Sequence, residues 1–160
     1  MHQVDFFLFL KYNKNKKKGE IMIKYNFYTE NDVYYCDLTY NDLTFTGEAR
    51  CHPDDQDVKS ERTGYFIAET RVNIEKLRWC RDYEVMPMVK HYRHFYDCLS
   101  HSSKFNPDSY ETKRIKWELK KWENALTEIR EEIKNEREYL TKYISEKDKL
   151  YQKIRKGKSN

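Results

Sequence analysis

The sequence predicts an α+β fold, a three-stranded antiparallel meander followed by two helices and a long, coiled-coil-like C-terminal helix. Three observations predict it. Residues 21–51 alternate apolar and polar side chains between short turn sequences, as strands with one buried face do. Residues 60–99 place apolar side chains at helical spacing. Residues 108–156 then continue such a stripe without Gly or Pro, which is typical of one long helix.

The meander follows from period-two alternation. One face of the third predicted strand consists of small or apolar residues, namely Leu43, Phe45, Gly47, Ala49 and Cys51. The first strand alternates in the same way from residue 21 to 28, and residues 33–40 form a second strand rich in Tyr and β-branched residues. Turns are predicted at residues 30–32 and at Asn41-Asp42, because Asn and Asp favour tight turns.

Capping residues define the helices that follow. Ser60 or Thr63 can cap a helix that runs to about Tyr83, because their hydroxyls accept from backbone N–H groups of a first turn. Pro87 is expected to open a second helix, since proline is tolerated in a first turn. Asn106-Pro107 is a cap followed by proline and predicts the start of the last helix.

The last helix carries a stripe with alternating spacings of three and four residues, interrupted by Glu136 and Lys147. The stripe consists of Ile115, Leu119, Trp122, Leu126, Ile129, Ile133, Leu140, Tyr143, Leu150 and Ile154. An unbroken helix of this length would be roughly 70 Å long, at 1.5 Å per residue. Its far half must therefore pack on a second copy, on the body of the same chain or on a partner. The alternative is an internal hairpin that bends near Asn124 or Asn135.

The chain divides into residues 1–21, an α+β body over residues 22–104 and the long charged helix over residues 105–157. The apolar run Val4–Leu10 is shorter than the ~20 residues of a membrane span, and its lysines follow it, the reverse of a signal peptide. Lys18-Gly19-Glu20 can be encoded by a purine-rich ribosome-binding sequence just before Met22. Residues 1–21 are therefore either a non-native N-terminal extension or a genuine tail, in a cytoplasmic protein without a membrane anchor.

Charge is segregated along the chain. Residues 22–62 hold nine acidic and four basic side chains, whereas residues 109–160 hold 15 basic and 10 acidic ones. A phosphate backbone would be repelled by the acidic body, so any nucleic-acid binding would use the last helix. The candidate residues there are basic and interleaved with tryptophans: Lys113, Arg114, Lys116, Lys120 and Lys121. A solvated helix with ion pairs to neighbouring glutamates is the other interpretation.

We find no catalytic constellation in the sequence. It contains no Gly-rich phosphate loop, nucleophile elbow or HExxH motif. Pro53-Asp54 and Asp57-Val58-Lys59 resemble a metal-dependent nuclease motif, but both parts fall in one short loop, which favours a solvated turn. His91, His94, Cys98 and His101 share one stripe of the second helix. One helix brings only two or three such ligands to an ion, so we predict no metal and no cofactor.

One stretch resembles a known group of proteins. The residues that carry the likeness are Met22-Ile23-Lys24-Tyr25, then Gly47 to Asp55 (GEARCHPDD), then Gly64 and Ile67-Ala68-Glu69-Thr70-Arg71. Through them residues 22–85 resemble small, mostly uncharacterised proteins of phages and mobile elements of Gram-positive bacteria. The chain departs from that pattern at Glu48 and Arg50, where more basic character is usual, and at Val72, where a small residue is usual. The shared motifs are structural rather than catalytic.

The resemblance implies a phage or mobile-element accessory protein, and small acidic proteins of such elements resemble inhibitors of host defence, anti-CRISPR proteins among them. We therefore expect a non-enzymatic protein that binds and inhibits a host defence nuclease or nucleoprotein complex, with self-association through the long helix as a further possibility. The residues expected to bind the partner are five acids near the end of the third strand, called here the acidic surface, and two tryptophans: Glu48, Asp54, Asp55, Asp57 and Glu61, with Trp117 and Trp122. Nucleic-acid binding through the last helix is the alternative.

Overall fold

A computed structural model describes residues 23–56 and 59–158. The expectations for residues 1–21 and for Asp57 lie outside them. The elements are β1 (Ile23–Glu30), β2 (Val33–Tyr40), β3 (Leu43–Arg50), a short 3-10 turn (Pro53–Asp55), α1 (Glu61–Trp79), a π turn (Cys80–Val85), α2 (Met86–Ser100) and α3 (Tyr110–Lys158). This order confirms the predicted α+β fold of a meander, two helices and a long C-terminal helix.

The three strands form one antiparallel sheet in the order β1-β2-β3. Two-residue turns, Asn31-Asp32 and Asn41-Asp42, join them, and all four turn residues have positive φ. Tight hairpins favour this conformation because it matches the twist of the strands, and Asn and Asp tolerate it better than most residues. The register pairs Cys36 with Gly47 and so places the predicted small and apolar face of β3 beside the buried side chains of β2.

Helix α1 packs against that face at two glycines. A Cβ atom on Gly47 would lie 2.1 Å from the carbonyl oxygen of Ala68, and one on Gly64 would lie 2.2 Å from the ring of Tyr34. Ala68 and Val72 are fully buried between the helix and the sheet. Small residues on both surfaces thus let the helix approach the sheet closely, which is the structural role of Gly47 in the GEARCHPDD stretch and of Gly64.

The helical backbone continues from α1 through the π turn into α2. Ser60 caps α1, because its side chain accepts from the backbone N–H of Thr63. Pro87 lies in the first turn of α2, as predicted, but no loop separates the two helices. Although the helical backbone continues without a loop, Pro87 has no N–H group to donate to the preceding turn, and the wider π turn lies just before it.

Helix α3 begins three residues later than predicted. The side chain of Asn106 accepts from the backbone N–H of Asp108, which stabilises a turn rather than a helix. Ser109 is the capping residue, since its hydroxyl oxygen accepts from the N–H of Thr112 at 3.2 Å. Thr112 is itself buried, and its hydroxyl donates to the carbonyl of Asn106. The prediction that Asn106-Pro107 caps the helix is therefore wrong. Ser109 caps it instead, and Thr112 holds the preceding turn in place.

The long helix folds back onto the body of its own chain and does not bend into an internal hairpin. Its near half packs against α2, where Arg93 Nη2 lies 2.7 Å from Glu123 Oε1. Its far half packs against α1, where the ring centroids of Phe66 and Tyr143 are 4.5 Å apart. The apolar stripe joins the main core through the buried side chains of Leu126, Ile129, Ile133 and Leu140, and Ala125 beside it is buried too. Of the predicted packing modes, the structure therefore has the fold-back.

Candidate partner-binding surfaces

The four described acids of the acidic surface lie near the end of β3, in the 3-10 turn and in the first turn of α1. The side chain of Glu48 is 51% exposed and approaches Arg50, with 3.6 Å between Oε1 and Nε. Asp54 is 67% exposed in the 3-10 turn, and Glu61 is exposed in the first turn of α1. Three of the five predicted acids thus reach solvent.

Asp55 was predicted to bind a partner, but it is buried, so the prediction that it is exposed is wrong. The residue is only 5% exposed, and its Oδ1 lies 3.4 Å from Arg155 Nη2, at the far end of α3. The other guanidinium nitrogen, Nη1, lies 3.7 Å from Asp54 Oδ2. A charged group is rarely buried without a partner of opposite charge, and here Arg155 provides it. Asp55 therefore holds the end of the long helix against the sheet.

Arg155 was not predicted as a functional residue from the sequence. It lies more than 90 positions after the acidic turn, among several lysines near the end of a charged helix. Only the length of α3 and its direction bring the two together. The length of α3, if the helix had been assumed to fold back along the body, could have suggested that a basic residue of its last two turns reaches Asp54 or Asp55.

The two tryptophans of α3 differ in exposure. Trp117 is 62% exposed, whereas Trp122 is half-buried and packs against the core. The ammonium of Lys121 lies 5.3 Å from the ring centroid of Trp117 and 5.5 Å from that of Trp122, within the range of cation–π attraction. Trp117 therefore presents a large apolar surface to solvent, and Trp122 anchors the helix.

The basic residues at the start of α3 also divide into two groups. Three of them contact groups of the same chain: Lys113 approaches Asp108, Lys116 lies over the ring of Tyr96, and Lys121 pairs with Glu118. Arg114 and Lys120 are exposed, and no ion pair of either occurs within residues 23–56 and 59–158. With Trp117 between them at spacings of three, these two share the outer face of the helix.

The His and Cys stripe of α2 forms local contacts. Nε2 of His94 lies 3.5 Å from Sγ of Cys98, and the ring of His101 contacts the carbonyl of Asp97. Both pairs join residues one helical turn apart, as expected for a half-exposed helix face. Over the described part of the chain, no group of three or more His, Cys, Asp or Glu side chains is placed to hold a metal ion.

A buried polar cluster lies where α1, the π turn, the sheet and α3 meet. Lys76 is 5% exposed, and its ammonium lies 5.8 Å from the ring centroid of Tyr40. Burial lowers the pKa of Lys76, while the nearby thiol of Cys80 and carboxylate of Glu132 oppose the shift. Burial also raises the pKa of the Cys80 thiol to about 12, so this cysteine stays protonated and is a poor nucleophile. The cluster is interior packing with compensated charge.

No described helix has the length and apolar character that crossing a membrane requires. Of the residues predicted to bind a partner, Glu48, Asp54, Glu61 and Trp117 are exposed. Comparison with models of protein families, with curated proteins and with solved structures gives no match to this chain.

Proposed function

We propose that the protein is a non-enzymatic accessory protein of a phage or mobile element that binds and inhibits a host defence nuclease of the RNA-guided, anti-CRISPR-sensitive type. The observation that carries the proposal is the exposure of three acids, Glu48 near the end of β3, Asp54 in the 3-10 turn after it and Glu61 at the start of α1. RNA-guided nucleases hold their nucleic acids in positively charged channels. A cluster of carboxylates is attracted to such a channel at long range and occupies the place of phosphate groups at contact.

The shape of the chain supports this mode of binding. The acids lie on a turn and at a strand end that α1 and Arg155 hold in place, so little conformational freedom is lost on binding. The outer face of α3 offers Trp117 as an additional anchor, because exposed tryptophans are enriched among the residues that dominate interface energies. Inhibition would then require occupancy only, and no turnover.

The test replaces the exposed acids by lysine while leaving the buried one intact. The triple variant Glu48→Lys, Asp54→Lys and Glu61→Lys should lose co-purification with a guide-loaded nuclease and should no longer inhibit its DNA cleavage at equimolar ratio. Asp55 is left unchanged because its substitution would disturb the fold.

The matched control is the triple variant Glu128→Lys, Glu131→Lys and Glu146→Lys, which alters net charge equally on exposed positions of α3. It should inhibit as the unchanged protein does. Full inhibition by the first variant, with its melting temperature preserved, would refute the role of the acidic surface.

A second candidate function, nucleic-acid binding, is favoured by the outer face of α3. Arg114, Trp117 and Lys120 are exposed there and follow one another at spacings of three. Basic groups with an aromatic ring between them suit a single strand, since the bases stack on the ring and the phosphates pair with the cations.

Gel-shift experiments with a single-stranded oligonucleotide separate the two functions. Under the second function, Arg114→Gln with Lys120→Gln should abolish a shift that also weakens steeply with added salt. Under the first function, the same double variant should inhibit the nuclease normally.

A further inference from the structure

A groove of about 390 Å³ lies between β3, α1 and α3, and its lining includes neither Asp54, Glu61 nor Trp117. It is lined by Thr46, Gly47 and Glu48 of β3, by Arg71, Ile74, Glu75 and Arg78 of α1, and by Arg137, Leu140 and Thr141 of α3. Its volume is in the range of small-molecule sites, which measure roughly 300–1,000 Å³. The fold-back of α3 creates it, because its third wall is the far half of that helix.

Three arginines converge on this groove, one of them from a different helix. Nη1 of Arg71 donates to the carbonyl oxygen of Glu48 at 2.6 Å, which fixes the guanidinium and leaves its other N–H groups available. The guanidinium of Arg78 pairs with the carboxylate of Glu75 one turn earlier. Arg137 is exposed, and among residues 23–56 and 59–158 its guanidinium has no ion pair. The lining contains these three arginines and two glutamates, so its net charge is positive.

The floor of the groove is apolar. Ile74 is 5% exposed and Leu140 is 9% exposed, so both side chains close the base against the core. An apolar floor lowers the local dielectric constant and strengthens the attraction between the arginines and an anion. It also offers a surface on which the organic part of a ligand can pack.

From this arrangement we infer that the groove binds a phosphorylated small molecule of nucleotide size, with its phosphates on Arg71, Arg78 and Arg137 and its organic part on the apolar floor. Arginine matches phosphate because its planar fork of N–H donors bonds two oxygens at once. The inference goes beyond the proposed function and does not depend on it, since the three arginines bind the ligand and Glu48 alone belongs to both surfaces.

A small molecule fits this groove better than a polynucleotide does. A strand lying in the groove would continue along the hairpin past Glu48 toward Asp54 and Glu61 at one end. This extension brings phosphates against carboxylates, which is unfavourable for a polyanion. A ligand with one or two phosphates avoids this repulsion.

Isothermal titration calorimetry of the full chain tests the inference with ADP, pyrophosphate and adenosine as probes. ADP should bind, adenosine should not bind measurably, and added salt should weaken ADP binding. Arg137→Gln should weaken ADP binding by about tenfold, which corresponds to about 1.4 kcal/mol. Glu75→Gln should tighten it, because the guanidinium of Arg78 then loses its competing partner.

The matched control is Arg130→Gln, the same chemical change two helical turns earlier on α3 and outside the groove lining. It should bind ADP as the unchanged protein does, and all variants should keep their melting temperature, since Arg137 and Arg130 are exposed. Absence of ADP and pyrophosphate binding at millimolar concentration would overturn the inference. So would an Arg137→Gln variant with unchanged affinity, or an oligonucleotide that binds more tightly than ADP and is lost in that variant.

Discussion

Gly47 is the residue at which the sheet and α1 come closest. An added Cβ would lie 2.1 Å from the carbonyl oxygen of Ala68 and 2.8 Å from the backbone nitrogen of Val72, and neither backbone atom can move without shifting the helix. Gly47→Ala should therefore lower the free energy of unfolding by about 2–3 kcal/mol, as overpacking of a core does. Urea denaturation followed by circular dichroism measures the change.

Gly157 provides the matched control for that substitution. It lies in the last turns of α3, and an added Cβ would meet nothing within 4 Å. Since alanine favours the helical conformation over glycine by roughly 0.5–1 kcal/mol, Gly157→Ala should leave stability unchanged or slightly raised. Equal stability of the two variants would contradict the close approach at Gly47.

At the scale of a single element, α3 carries a carboxylate in its apolar stripe. Glu136 occupies the stripe between Ile133 and Leu140 and is half-buried, and burial raises its pKa above the ordinary value of 4.5. The protonated form is therefore favoured by folding. The stability that this preference contributes is fully present below about pH 4.5, the ordinary pKa of the carboxyl group, and it is lost as the pH rises through the raised pKa of Glu136.

Glu136→Gln should remove this dependence, because glutamine is neutral at every pH. The variant should be more stable than the unchanged protein at pH 7, because a neutral amide costs less to bury than a carboxylate. The two should have nearly equal stability near pH 4. Urea denaturation at both pH values measures the difference, with Glu131→Gln, an exposed position on the same helix, as a control that should show no such gain at pH 7.

At the scale of the whole molecule, an ion pair joins the far end of α3 to the turn that follows the sheet. Arg155, near the end of α3, pairs with Asp55, whose side chain is 8% exposed, at the end of the sheet. Arg155→Gln should lower the free energy of unfolding by about 1–3 kcal/mol, because it leaves a buried carboxylate without its charged partner. Hydrogen exchange should show reduced protection over residues 144–155, since the far end of the helix is no longer held.

Lys153→Gln serves as the control, because it removes an exposed cation two residues earlier on the same helix. Its exchange protection and stability should match those of the unchanged protein. If Arg155→Gln leaves the exchange of residues 144–155 unaltered, then aromatic packing near Tyr143 alone holds the helix against the body.

Local patterns were sufficient to predict the three strands and the three helices, although not the π turn between α1 and α2. Alternation in residues 23–50 gave the strands and the buried face of β3, and the Asn-Asp pairs gave both turns, because side-chain direction in a strand and positive φ in a turn depend on near neighbours. The stripe from Ile115 to Ile154 gave a single long helix for the same reason. The start of α3 was misplaced, because Asn106 and Ser109 are both good capping residues and only the buried hydroxyl of Thr112 favours Ser109.

Tertiary structure alone decided how those elements meet. The heptad stripe of α3 could have packed on a second copy, on a partner or on its own chain, since all three bury the same side chains. The fold-back placed Arg155 against the buried carboxylate of Asp55, and it brought Arg137 to the groove that Arg71 and Arg78 also line. Both results depend on contacts between residues far apart in the sequence, where charge counts and periodicity carry no information. The sequence by itself thus determined the fold class and the acidic and basic regions, whereas the packing of α3 determined which charges remain exposed and which converge on a groove.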